Sequence, residues 1–182
     1  MIKYILILIG VLLLLCIFAI FNKLIRANNK VKEAFATMDV YLKKRWDLIP
    51  NLIETVKGYA KHENDTLKEV IELRNINYDD LSSNEKIKTN ERVNRDLVKV
   101  FSLSEDYPKL KANKNFMDLS DNLRIVEDEI AQSRKYFNAV VRDYNNLVEM
   151  FPSSIIAKLI GYKTKLMFSI NSSERENIKV KL

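Results

Sequence analysis

Residues 4–21, YILILIGVLLLLCIFAIF, form an uninterrupted apolar run with no charge and a single glycine. As a helix rising 1.5 Å per residue this run is roughly 27 Å long, close to the hydrocarbon thickness of a bilayer. Its Ile, Leu, Val and Phe side chains each favour insertion by about 0.3–0.6 kcal/mol. Lys3 is placed to snorkel at one end. Beyond residue 22 the pattern changes from continuous to periodic. Apolar positions then recur every three or four residues, the spacing of a helix with one packed face.

Four amphipathic helices and a short fifth follow from that period. Helix A covers residues 23–47 with Val31, Ala34, Phe35, Met38, Tyr41 and Leu42 on one face. It continues the apolar helix directly, because neither Gly nor Pro stands between Gly10 and Pro50. Asp39 and Lys43 are one turn apart and can pair. Pro50 lacks an amide hydrogen and disfavours helix at Ile49, so a break or bend is expected there, with Asp47 as a cap. A single kinked helix is the alternative. Helix B covers residues 50–77, with Leu52, Ile53, Val56, Tyr59, Ala60, Leu67, Val70 and Ile71 as its stripe. The polar turn NYDDLSSN ends it. Helix C, residues 85–105, has the weakest stripe (Ile87, Val93, Leu97, Val100, Phe101), and a corner around Pro108 follows. Helix D, residues 114–151, is long, with apolar positions from Leu119 to Phe151. Pro152 stops it, Ser153 or Ser154 caps a short helix at 153–161, and residues 169–182 form a polar, loose tail. The expected fold is all-α: residues 1–22 as a transmembrane helix, then an antiparallel up-and-down four-helix bundle over residues 23–168.

Composition narrows this further. Three Gly and three Pro in 182 residues are too few for a turn-rich β fold. Thirty basic and 24 acidic residues alternate along the chain, as on solvated helix faces. No clustered basic stripe with stacking aromatics marks a nucleic-acid surface. The single cysteine, Cys16, lies within the apolar run, so no intrachain disulfide can form. The region before it has Leu15 where a lipidated cysteine would need a small residue. Only Ala19 resembles a cleavage site, so an uncleaved anchor is expected. Lys23, Arg26, Lys30 and Lys32 outnumber Lys3 across the run, which places the bundle in the cytoplasm at the cell membrane and the short N-terminus outside.

Three segments carry a family resemblance. MDVYLKKRWDLIPNLIETVKGYAKHE (residues 38–63), EDYPKLKANKNFMDL (105–119) and RKYFNAVVRDYNNLVEMFPSSIIAKLIGY (134–162) resemble the signature regions of LemA proteins, in the family's order and behind the same kind of apolar helix. Matched positions include Lys44, Arg45, Asp47, Pro50, Asn51, Tyr107, Pro108, Arg134 and Tyr144. Trp46 departs from the usual tyrosine, and the tail is more basic than the family's. The resemblance implies a bacterial membrane protein with one N-terminal anchor, an external N-terminus and a helical bundle. It implies no catalytic residue and no settled molecular function.

The residues offer no catalytic, cofactor or metal constellation. His62-Glu63 lacks the second histidine of a zinc motif, since Thr66 stands there. Asp79 and Asp80 suit a helix cap, and three scattered glycines cannot form a phosphate loop. Lys43, Lys44 and Arg45 form a basic triplet with three readings: a solvated helix end, an internal pair of Arg45 with a carboxylate such as Glu127 or Glu54, or a docking patch. Trp46, Tyr59, Tyr107 and Tyr144 read as core or corner packing, and Asn51, Asn113 and Asn145 as a buried amide network. The functional expectation is a non-enzymatic scaffold, adaptor or regulator. Residues 4–21 engage the bilayer, and membrane or cytoplasmic proteins are the partners. No oligomeric state is implied. The rival classes are an enzyme with a polar cleft and a protein that remodels lipid through residues 153–168.

Overall fold

The computed structural model describes residues 1–59, 72 and 75–168. Its helices are α1 (Ile2–Lys57), α2 (Ser83–Glu105), α3 (Pro108–Lys111), α4 (Lys114–Glu149) and α5 (Ser153–Leu159), with a 3-10 turn at Tyr78–Asp80. There is no strand among the described residues. His62, Glu63, the far part of the helix B stripe and the tail at 169–182 lie outside them.

α1 corrects the expected break at Pro50. The helix passes through the proline and ends only at Lys57, before Gly58. An interior proline costs a helix about 3 kcal/mol, through the missing donor and the clash with the preceding turn. Here Ile49, Leu52, Ile53 and Val56 on both sides of it are buried, and packing of that face outweighs the local penalty. Asp47 is therefore no cap. It sits mid-helix and pairs with Lys43 one turn earlier, 3.2 Å away.

The chain divides into two compact units, one of residues 32–136 and one of residues 1–31 with 137–182. The first has a core built by α1 (Ile49, Leu52, Ile53, Val56), α2 (Val93, Leu97, Val100, Leu103), Leu110 of α3, and Phe116 and Leu123 of α4. The Phe101 and Phe116 rings meet edge-on at 6.2 Å. A full capping box starts α2: Ser82 Oγ accepts from the Glu85 amide, and the Glu85 carboxylate accepts from the Ser82 amide at 2.8 Å. Tyr107 precedes α3, with Pro108 as its first residue, where a missing amide hydrogen costs nothing. Asn113 accepts from the Phe116 amide at 3.1 Å and so caps α4, while its amide donates to Tyr59 at 2.9 Å.

The second unit starts with the apolar run. Residues 1–19 are all exposed, and α1 is long and apolar enough there to be compatible with a membrane anchor. Leu24 and Val31 are the first buried positions, followed in this unit by Phe137, Val140, Val141, Tyr144, Ala157 and Phe168. Phe151, expected on the packed stripe, is instead 81% exposed, because α4 has ended two residues earlier. Ser153 does not cap α5. It is the helix's first residue, and its hydroxyl donates back to the Met150 carbonyl at 2.9 Å. Gly161, at φ +74°, closes α5, with Tyr162 N–H donating to Ala157 O and Gly161 N–H to Lys158 O. A side chain at that φ would be strained, so glycine is what turns the chain into the segment that follows.

Candidate functional site

The basic triplet is split three ways by the helix, whose successive side chains point about 100° apart. Lys44 is exposed. Lys43 is half-exposed, near Asp79 (3.5 Å) and over the Tyr78 ring as well as beside Asp47. The Asp47 hydrogen bond is the main cause of its raised pKa, against a lowering by desolvation. Arg45 points inward and is only 2% exposed. Its guanidinium donates to Glu127 Oε2 at 2.6 Å, to the Asn90 and Asn94 side-chain oxygens, and at 3.4 Å to the Asn90 carbonyl. Burial lowers its pKa, and Glu127 opposes that shift. Of the two carboxylates anticipated, Glu127 is the partner. Arg134 approaches its other oxygen at 3.9 Å.

A second group of polar residues packs around Tyr78. The phenol donates to Asp39 Oδ1 at 2.7 Å, and Lys86 reaches Asp39 Oδ2 at 2.7 Å while lying 4.7 Å from the centre of the Tyr78 ring. Asp39 therefore bonds across to Tyr78 and Lys86 rather than to Lys43. Trp46 leans on the same ring, centroids 5.4 Å apart. Burial first, and the Asp39 hydrogen bond second, push the Tyr78 pKa far up. Leu42, Arg45, Trp46, Tyr78, Lys86 and Asn90 border a cavity of about 10 Å³. That is the size of one water, not of a substrate.

The remaining expected residues lie elsewhere. Pro50 and Asn51 are on α1 beyond this cluster, and Asn51 is exposed, bordering an open groove with Glu54 and Asn115. Tyr107 and Pro108 belong to the α3 corner. The proposed amide network of Asn51, Asn113 and Asn145 does not form, since the three act separately. Asn145 makes a two-bond clip: its amide donates to Lys165 O at 3.0 Å, and Lys165 N–H donates to its oxygen at 2.8 Å. Asn138 repeats the clip on Phe168, at 3.0 and 2.9 Å. Two turns of α4 (seven residues, about 10.5 Å) match three residues of extended chain. Tyr144 donates to Lys163 O at 3.1 Å between them. The Phe137–Phe168 and Tyr144–Tyr162 ring pairs, 5.8 and 6.1 Å apart, complete a strap running along α4.

Asn90, Asn94, Tyr78, Lys86 and Asn138 had no role assigned from the sequence, and Asp39 was expected to pair with Lys43 instead. One signal was available: Asn90 occupies a stripe position between Ile87 and Val93. Helix C looked weak because polar residues that meet Arg45 interrupt its apolar face.

Comparison with known proteins bears on these features. The model of the LemA family matches residues 34–182. The chain belongs to the LemA family. A similar protein is Protein LemA of Metamycoplasma hominis, 25% identical over 161 residues, which are 86% of this chain and 72% of that one. The Arg45 cluster, the Tyr78 group and both asparagine clips fall within the LemA match, whereas the apolar run at 4–21 precedes it. Among the described residues of this LemA chain, no three His, Cys, Asp or Glu side chains group as metal ligands.

Proposed function

We propose that this LemA protein is a membrane-anchored, non-enzymatic helical protein that works through protein–protein contacts, as a scaffold, adaptor or regulator. Residues 4–21 cross the cell membrane, the N-terminus is outside, and residues 23–168 form an antiparallel bundle in the cytoplasm. In this bundle α1, α2 and α4 supply long members. The meeting of Arg45 with Glu127 favours an antiparallel course for α1 and α4. So does the division that groups early α1 with late α4.

The observation that carries the reading is the use of the Arg45 cluster. Arg45, Asn90, Asn94 and Glu127 turn their polar groups on one another beside a space the size of one water. That is the arrangement of a register-fixing core, and it leaves the outer helix faces as the means of action. Proximity labelling by the full chain in native cells tests this. The bundle should enrich a reproducible set of membrane or cytoplasmic proteins over an anchor-only fusion of residues 1–33. Identical neighbours for both would sink the proposal.

A further inference from the structure

We propose that α5 and the turn before it form a second membrane contact, an interfacial face that rests on the anionic surface of the same bilayer the anchor crosses. The inference rests on the anchor reading and adds a lipid-binding site to it.

Met150, Phe151, Ile155 and Leu159 are all exposed, Phe151 and Leu159 at 81%. Ile155 and Leu159 are one turn apart on α5 and share a face. Large apolar side chains gathered in so short a stretch mark an interaction surface rather than ordinary scatter. Residues 150–168 contain three lysines and no acidic residue. Lys158 and Lys163 are exposed among the apolar side chains, the mix that suits an acyl boundary under anionic headgroups.

Position within the unit identifies bilayer as the occupant. This unit holds residues 1–31, with the start of α1, together with residues 137–182. Leu24 is fully buried, whereas residues 1–19 are exposed. Burial in this unit therefore begins at residue 24, just past the apolar run. Early α1 is grouped with late α4, as in antiparallel helices, which brings the end of α4, and α5 after it, nearest to residues 20–24. Lys23 and Arg26, also exposed, lie at that level and extend the basic surface. The asparagine clips fix the chain beyond Gly161 against α4, so Lys163 is held at this surface.

The test uses the full chain in vesicles of phosphatidylcholine with or without phosphatidylglycerol, and an environment-sensitive fluorophore at one cysteine at a time. The sites are native Cys16, Leu159→Cys, and Val98→Cys on α2 as an exposed apolar control, the last two in a Cys16→Ser background. Bromolipid quenching at position 159 should be about threefold that at position 98, with blue-shifted emission. Phe151→Asp with Ile155→Asp should return position 159 to the level of position 98. Omitting phosphatidylglycerol should weaken its quenching about twofold. A water-like signal at 159 with a lipid-like signal at Cys16 overturns the second contact and leaves the anchor standing, the face then awaiting a protein. Water-like signals at both overturn the anchor reading and this one with it. Quenching at 159 indifferent to phosphatidylglycerol overturns the role given to the lysines.

Discussion

The two units hold their parts in register by opposite electrostatic means. Residues 32–136 bury a charge: Arg45 is sealed in, with a carboxylate and two amides as acceptors. The other unit uses neutral amides, with Asn138 and Asn145 each satisfying one backbone N–H and one C=O of the strap. A buried cation is costly to desolvate and tolerates few geometries, so it is specific and intolerant of change. An amide clip costs less to bury and is worth less, because water can replace it when the strap lifts. The first device sets helix positions for the life of the fold, whereas the second holds a segment that could be released.

Removing the charge is the sharpest way to break this contrast. Arg45→Ala removes the donor that Glu127, Asn90 and Asn94 share and should cost about 3–5 kcal/mol, read by chemical denaturation of the full chain in detergent. Arg45→Lys should recover little, since an ammonium cannot span three acceptors with a planar fork. A cost below about 1 kcal/mol would mean the site hydrates easily, and the supposed difference between the units would disappear. The double mutant with Glu127→Gln refines the result. Glu127 is 44% exposed, so its coupling to Arg45 should be modest, about 1 kcal/mol. Most of the loss then belongs to the burial of Arg45 and its amide acceptors.

Asn145→Ala tests the other side. It frees the N–H and C=O of Lys165 and should cost about 1–2 kcal/mol. Amide exchange at Lys165 should accelerate while that of α2 is unchanged. Asn145→Asp separates the two bonds, because the carboxylate still accepts from Lys165 N–H but repels its carbonyl. Protection at Lys165 should survive in part. Unchanged protection at Lys165 in both variants would show that the strap is held by its aromatic pairs and not by the clips.

The legibility of the two devices in the sequence differs for the same physical reason. Helices α2, α4 and α5 could be placed within a few residues from apolar period and punctuation, because burial of a face leaves a repeat. The Arg45–Glu127 pair was within reach, since Arg45 shares a face with Phe35, Met38 and Leu42. Its amide partners were not, because an asparagine on a helix face has the same code whether it meets water or a guanidinium. The clips were less visible still. Asn145 was noted, but its partner is a backbone, and backbone carries no residue identity. Pro50 misled for a third reason: local propensity opposes the helix there, and only tertiary packing of Ile49, Leu52, Ile53 and Val56 overrides it.

Tyr78 sharpens the comparison by pH. Its ordinary pKa of 10.0 is raised by burial, then by the Asp39 hydrogen bond. A raised folded-state pKa means its contribution to stability is complete below about pH 10, where unfolded tyrosine still holds its proton, and is lost as pH climbs toward the folded value. Tyr144 shifts the same way, through burial and then Tyr162, so the alkaline weakness is shared by both units. Tyr78 and Tyr144 should resist ionisation in an absorbance titration of the folded chain. Tyr78→Phe should remove one late titration and cost about 1 kcal/mol. If Tyr78 ionised at its ordinary value of 10.0, the polar interior around Asp39 would be open to water.

The smallest effect belongs to the neighbour of Arg45. Lys44 is one residue away, of the same charge, and exposed. Lys44→Glu should therefore leave stability within about 0.5 kcal/mol of the native chain, against the several lost at Arg45. That gap separates structure from contact within one basic triplet. If proximity labelling of the Lys44→Glu chain loses a partner that the native chain enriches, the lost interaction cannot be blamed on the fold. The outer face of α1 is then the docking surface. If the set of neighbours is unchanged, the triplet's one consequential charge is the buried one.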